Sequence, residues 1–511
     1  MNRDKNINKI AAEKEWDLIV IGGGASGLGV AVDACSRNLK VLLIEEFDFS
    51  KGTSSRSTKL VHGGVRYLKN GELSLVIEAL KERGIMLNNA PHLVRNMSFI
   101  IPTYEWWDTP FYGIGLKVYD LMAGKLGLGP SKFLSKKETI EKIPNVNQDE
   151  LNGGIIYHDG QFDDARMAVS LAHTVEEHGG SVVNYLKWDS FIYENDQVSG
   201  IKVTDQITQS SYALKAKVVV NATGVFAEKI LRADEPKAEL KIKPSQGVHL
   251  VLDKSFLKSE NAIMVPNTSD GRVLFAVPWH DVVVVGTTDT EVNKISIEPK
   301  ATDQEIDFIL SNAEKYMTRK PKRSDVKSVF AGLRPLISKE NKSSKSLSRK
   351  HTIYKSKRGV YHLLGGKWTT YRKMGEDVLD LIESTGQLKL EPSKTEELRI
   401  FGYKSNVSWS DPLHFYGSEN EHVMSMGSNK PLSPLLPLTE AQIIYAIRYE
   451  MALNIEDVLS RRTRCLLLNA KECISIAPEV ARIMRSELNA EENWEQEQIK
   501  LFLDLAKNHH L

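Results

Sequence analysis

DLIVIGGGASG, residues 17–27, is a short apolar run that ends in a glycine-rich turn. Beyond it, Leu28, Val30, Ala31 and Val32 follow at helical density. The stretch therefore predicts a strand, a tight turn and a helix. Gly22 permits the turn, Gly24 lets a pyrophosphate approach the backbone, and Gly27 lets the helix lie close to the strand. The N–H groups of Ala25 and Ser26 open the helix, where phosphates bind well. A second apolar run, Lys40 to Ile44, ends at Glu45. A carboxylate there accepts hydrogen bonds from an adenosine ribose and repels a 2′-phosphate. The expected ligand is FAD or NAD, not NADP.

Working outward, 511 residues suffice for two or three domains. A net charge of +1 makes no global case for nucleic acid, and no nucleic-acid partner is expected. The 41% hydrophobic and 26% charged content is that of a soluble globular protein. Cys35, Cys465 and Cys473 are scattered without metal-ligand spacing, so no metal is expected and a reducing compartment is. Residues 1–15 lack an apolar signal segment, and no apolar run approaches the ~20 residues that span a bilayer.

Helical spacing recurs over residues 73–87, 165–178 and 302–318. Residues 182–203 and 212–221 read as strands, and from about 241 to 290 the pattern is β, with VHLVLD, RVLFAVPW and DVVVVGTTD. Residues 438–508 are nearly all helical in pattern.

Two later segments separate flavin from nicotinamide. Val218 to Gly224, VVVNATG, is a buried strand followed by the small-residue turn Ala222-Thr223-Gly224. Val360 to Leu364 leads into Gly365-Gly366-Lys367-Trp368-Thr369-Thr370, again strand, glycines and helix start. A helix N-terminus aimed at a flavin pyrimidine ring stabilises the anionic reduced ring. Three strand–turn units from distant parts of the chain suit an extended FAD better than an NAD held by one βαβ half.

The motifs SSRSTKLVHGGVRYL, DGQFDDARM, VVVNATG, GTTDT, AGLRPL and GGKWTTYR, in this order, resemble the FAD-dependent glycerol-3-phosphate dehydrogenase family. The resemblance covers about residues 16–390, and MALNIEDVLSRRTR is similar to that family's C-terminal region. It implies an α/β fold: a Rossmann-like FAD-binding domain of glutathione-reductase type, a β-rich substrate domain and a C-terminal α-helical domain. The expected partition is residues 16–100 with 155–240 and 351–388 for FAD, 101–154 with 241–350 for substrate, and 391–511 for the helices. It also implies oxidation of sn-glycerol 3-phosphate to dihydroxyacetone phosphate, with electrons passed to quinone. An oxidase branch of the family uses oxygen and releases hydrogen peroxide.

Such a substrate needs cations for phosphate and a base for its alcohol. Arginine suits phosphate through its planar fork. Arg66, Arg334 and Arg349 belong to the phosphate pocket by resemblance, with Tyr67 adding a hydroxyl. His62 and His249 are the two candidate bases, since the ordinary range of imidazole lies nearest neutrality. Val248 stands where some relatives carry a smaller polar residue. Lys367 is placed to touch flavin or substrate oxygen. Ser54, Ser55, Ser57, Thr58 and Lys59 follow the ribose acid and are expected against the pyrophosphate and ribityl chain.

Residues 104–128 crowd Tyr104, Trp106, Trp107, Phe111, Tyr112 and Tyr119, with Lys117 and Lys125 following. They read either as a core helix or as a monotopic membrane contact. Arg461-Arg462-Thr463-Arg464 reads as a solvated helix face or a lipid contact. The expectation is a cytoplasmic enzyme held peripherally on the inner face of the cell membrane; a homodimer is compatible with it. The short polar Arg349 loop, where oxidases often carry a long insertion, favours the dehydrogenase. Cations at Arg66, Arg334 and Lys367 argue against a silent flavoprotein scaffold, and a single G-x-G-x-x-G argues against a soluble NAD-dependent enzyme.

Overall fold

The computed structural model describes residues 1–64, 72–105, 108–266, 268, 271–338 and 351–511. Its first sheet is built on the opening strand Trp16–Ile21. The strand order is Thr352–Lys355, Tyr361–Leu364, Ser211–Asn221, Trp16–Ile21, Val41–Ile44 and Ser181–Val183. All neighbours run parallel except the antiparallel edge strand Thr352–Lys355. Alternation along the opening strand explains its unbroken apolar run. Leu18 and Val20 face a core with helix Ala25–Ser36 and its neighbours Asp164–Glu177 and Tyr371–Ser384. Ile19 and Ile21 face the opposite core, shared with the meander Leu186–Glu194, Gln197–Asp205 and Ser211–Asn221. A parallel strand covered on both faces has no polar side to show.

A second, mostly antiparallel sheet runs in the order Thr290–Glu291, Lys241–Asp253, Val282–Gly286, Leu274–Trp279, Ala262–Val265, Val94–Thr103, Gly153–Phe162 and Leu60–Val61. Strand Val326–Ser338 also pairs with Lys241–Asp253. Val248, Leu250 and Leu252 pack with helix Asp303–Tyr316, while Val251 packs with the C-terminal helices.

Strand pairing cuts across the expected partition at three places. Val94–Thr103 and Gly153–Phe162 pair with each other along their whole length inside the second sheet. Residues 60–61, 94–100 and 155–162, grouped by that partition with the parallel strands, therefore lie in the second, mostly antiparallel sheet. Alternation alone does not say which of two sheets a strand joins.

The C-terminal region comprises helices Glu440–Glu450, Cys465–Leu468, Ala470–Leu488 and Glu492–Ala506, with a π-helical turn at Asp457–Arg462. The reading of Arg461 to Arg464 as solvated or lipid-facing is wrong: all three arginines are buried. Arg462 pairs with Asp48 at 2.7 Å, Arg461 with Asp457 at 2.6 Å, and Arg464 with Asp164 at 2.8 Å. Their partners come largely from the dinucleotide-binding region, so these charges fasten two regions together.

Candidate active site

Strands Trp16–Ile21, Val41–Ile44 and Ser211–Asn221 end around one groove, lined by Gly22, Gly24, Ala25, Ser26, Glu45, Ser54, Ala222, Thr223 and Gly224. Gly22 has φ +115°, and a Cβ there would stand 2.7 Å from the Ala222 carbonyl oxygen. A Cβ on Gly27 would stand 1.9 Å from the Gly22 carbonyl oxygen. The turn exists only without those side chains. Gly24 is the N-cap of helix Ala25–Ser36 and offers no side-chain cap, so the helix start is presented to the groove. Ser54 Oγ accepts from Ala25 N–H at 2.9 Å. Glu45 accepts from Gly23 N–H at 2.6 Å and Phe47 N–H at 2.9 Å. Burial pushes its carboxyl up to about 7 against those two donors.

These features fit the adenosine and pyrophosphate of FAD: a carboxylate at the second strand's end, a glycine turn and a helix start without a side-chain cap of its own. Gly24→Val is expected to abolish FAD retention. Its Cβ would already stand 3.0 Å from Ser54 Oγ, in the space a pyrophosphate would approach. The check is the flavin absorbance of the purified protein; full occupancy in the variant would refute this use of the loop.

The Gly365-Gly366-Lys367 turn follows strand Tyr361–Leu364, which pairs in parallel with Ser211–Asn221. Both glycines have positive φ, and half-buried Lys367 is the N-cap of the short helical turn Trp368–Thr370. Trp368 Nε1 donates to the Ser54 carbonyl at 2.7 Å, and His62 N–H donates to Thr369 Oγ1 at 3.3 Å. The third strand–turn is thus tied to both the Ser54 loop and the His62 segment.

A separate polar pocket is lined by Thr58, His62, Arg334, Arg272, Thr287 and Asp289, with Phe99, Tyr157 and Phe275 on its apolar side. Arg334 projects from strand Val326–Ser338; its Nη2 donates to Thr287 Oγ1 at 3.1 Å, and Nη1 lies 3.5 Å from Asp289. A Cβ on Gly247 would stand 2.5 Å from Nη2, so the facing strand is bare to admit the guanidinium. A guanidinium that is still partly open to the pocket can take an anion.

The two histidines part company. His62 lines the pocket. His249 is buried behind it, stacked on Phe330 at 4.8 Å, with Nε2 2.8 Å from Thr58 Oγ1. Burial, helped by the charges of Lys59 and Arg334, holds His249 neutral to well below the ordinary imidazole range. Its polar contact with the pocket lining is through Thr58. Lys59 also departs from expectation, because its side chain is buried and Nζ donates to Asp164 at 2.7 Å rather than into the groove. Burial pulls Lys59 down to about 8 despite that partner. Ser57 likewise turns to Asp164, at 2.7 Å. Ser55 Oγ lies 3.5 Å from the Gly52 carbonyl. Arg66, Tyr67 and Arg349 lie outside the described residues.

Sequence reasoning missed Asp164, the carboxylate that gathers Ser57, Lys59 and Arg464. It missed Arg272, Thr287 and Asp289 as pocket residues, although Thr287 and Asp289 fall within the GTTDT motif. Pairing of distant strands brings them together.

Residues 17–372 match the family model for FAD dependent oxidoreductases, and residues 362–499 match the C-terminal domain of alpha-glycerophosphate oxidase. The chain is 36% identical to the mitochondrial glycerol-3-phosphate dehydrogenase of Macaca fascicularis, over 98% of this chain and 74% of that one. The structure is similar to that of the Bacillus halodurans glycerol-3-phosphate dehydrogenase complexed with FAD. The TM-score is 0.81 and the identity 30%, covering 99% and 97% of the two chains. A Mycoplasma pneumoniae L-alpha-glycerophosphate oxidase with FAD bound shares the fold at TM-score 0.59 and 16% identity, covering 76% of this chain and 99% of that one.

Proposed function

Because the chain belongs to the family of FAD-dependent glycerol-3-phosphate dehydrogenases, we propose that it oxidises sn-glycerol 3-phosphate and delivers the electrons to quinone at a membrane surface. The observation that carries the substrate reading is the pocket in which Arg334 and His62 face one space with Thr58. In this reading Arg334 binds the phosphate, with Arg272 beside it and with Arg66, Tyr67 and Arg349 as the remaining phosphate-pocket residues. His62 takes the proton of the C2 hydroxyl as the hydride leaves. Thr58, held by His249, fixes the direction of that hydroxyl. FAD, when bound, supplies the hydride acceptor; Lys367 is its neighbour at the glycine turn.

Arg334→Ala is expected to raise the KM for glycerol 3-phosphate strongly and to change little for glycerol. Loss of a charge-assisted pair costs about 2–3 kcal/mol. Steady-state kinetics on both substrates check it, and an equal effect on the two would make Arg334 structural.

The acceptor reading rests on the surface beside the pocket. Helix Asp108–Ala123 buries Leu116 and Tyr119, and Tyr119 Oη donates to Asp159 at 2.6 Å. Its outer face shows Ile114 and Leu121 to solvent, 68% and 81% exposed, with Val118 between them. The adjoining helix Leu73–Asn89 adds exposed Leu73 and Ile77. The inner face packs as core, and the exposed outer face supports the reading as a membrane contact. An apolar patch on two packed helices suits a lipid interface. Lys117 does not face lipid phosphates, since Nζ donates to the Ser131 carbonyl at 2.6 Å. Trp106, Trp107 and the side chain of Lys125 lie outside the described residues. No helix among the described residues is long and apolar enough to cross a membrane. The enzyme is expected to sediment with anionic vesicles, and Ile114→Ser with Leu121→Ser to release it while flavin reduction by substrate is unchanged. Quinone-analogue reduction and peroxide release are followed in parallel. Indifference to vesicles together with rapid peroxide release would replace this reading by the oxidase.

A further inference from the structure

The loop from Ser54 to Lys59 serves both parts of the site. Ser54 accepts from Ala25 N–H in the dinucleotide groove, and Thr58 lines the polar pocket. Its anchor comes from the C-terminal helices. Arg464 Nη2 donates to the Ser55 carbonyl at 3.0 Å and to Asp164 Oδ1 at 2.8 Å. Lys59 Nζ donates to the same carbonyl at 2.8 Å and to Asp164 Oδ2 at 2.7 Å. One main-chain oxygen and one carboxylate are therefore shared by two buried cations, one from the loop and one from a distant helix start. Arg464 also sits at φ +64°, a conformation rare for a residue with a Cβ and concentrated at functional positions.

We propose that Arg464 is a positioning residue for hydride transfer, through which the C-terminal helical region sets the loop that joins the FAD groove to the substrate pocket. The proposal rests on the assignment of Ser54 to FAD and of Thr58 to substrate. Arg464 lines neither the groove nor the pocket; it acts through Ser55 and Asp164. Arg464 reaches both acceptors from Nη2 while Nη1 donates to the Ser460 carbonyl at 2.7 Å and Nε lies 3.3 Å from Asp163 Oδ1, so one planar guanidinium is held from three sides, which a lysine in its place reproduces only in part. Since FAD and the C-terminal region order the same loop, binding of one strengthens docking of the other by the same factor.

Hydrogen–deuterium exchange on the full-length protein, with FAD bound and after its removal, tests the link. FAD is expected to protect residues 53–59 and also residues 457–468, the latter none of them lining the groove. Protection of neither segment overturns the groove assignment and the proposal with it; protection of the loop alone overturns only the coupling. Rapid-reaction kinetics add a second readout. Per bound flavin, Arg464→Met is expected to slow reduction by glycerol 3-phosphate about tenfold, as loss of a charge-assisted hydrogen bond implies. Arg464→Lys is expected to recover part of that rate. An unchanged rate per bound flavin in Arg464→Met, whatever its stability or FAD content, overturns the positioning role.

Discussion

In a His62→Asn variant, reduction of bound FAD by glycerol 3-phosphate is expected to slow by ~10²–10⁴-fold, the range for loss of a general base. FAD content should stay intact, because His62 lines the Arg334 pocket and not the groove around Gly24. The contrast with His249→Asn gives the prediction its force. His249 is a neutral, buried group whose Nε2 meets Thr58 Oγ1, and an asparagine amide can replace part of that contact. That variant should slow by about tenfold or less, the value of one ordinary hydrogen bond. Stopped-flow bleaching of the flavin at saturating substrate separates the two. Reduction at a near-normal rate in His62→Asn would transfer the role to Lys367 or to bound water.

Asp48→Asn is expected to be the most damaging change to stability. Asp48 is fully buried, with Arg462 Nη1 and Nη2 both donating to it at 2.7 Å and Arg461 paired beside them. Removing that charge leaves two buried guanidinium groups short of a partner, at a cost of about 3–5 kcal/mol. Burial alone would raise the Asp48 carboxyl, but Arg462 and Arg461 override it and hold it far below the usual carboxylate range. The sign follows: a depressed folded-state value gives stability that is complete above the unfolded value of about 3.9 and is lost as pH falls below it. The gap between wild type and variant should therefore be full at pH 7 and shrink in acid. Denaturant unfolding at several pH values measures it. Equal stability at pH 7 would mean that the network adds nothing over a neutral amide.

Much of the FAD-binding half was legible because its constraints are local. The run LIVI must be covered on both faces, the glycines must admit backbone at Gly22 and Gly27, and a carboxylate must end the second strand at Glu45. Each of these is decided within a few residues, by side-chain period and by the space a Cβ would take. Arg334 was legible for a similar reason, since a cation flanked by Leu333 and Pro335 in a strand invites a partner.

Tertiary structure alone decided the rest. His62 and His249 both sit in short apolar contexts, and only strand pairing with Phe330 and Gly286 buries one while the other meets the pocket. The run Arg461 to Arg464 has the local pattern of a solvated face, yet its partners Asp48, Asp163 and Asp164 lie hundreds of positions away. The exposed row Ile114, Val118 and Leu121 is as apolar as the buried Leu116 beside it. Side-chain chemistry and spacing travel with the sequence. The dielectric around a charge, and whether an apolar face meets protein or solvent, depend on what the fold brings from elsewhere in the chain.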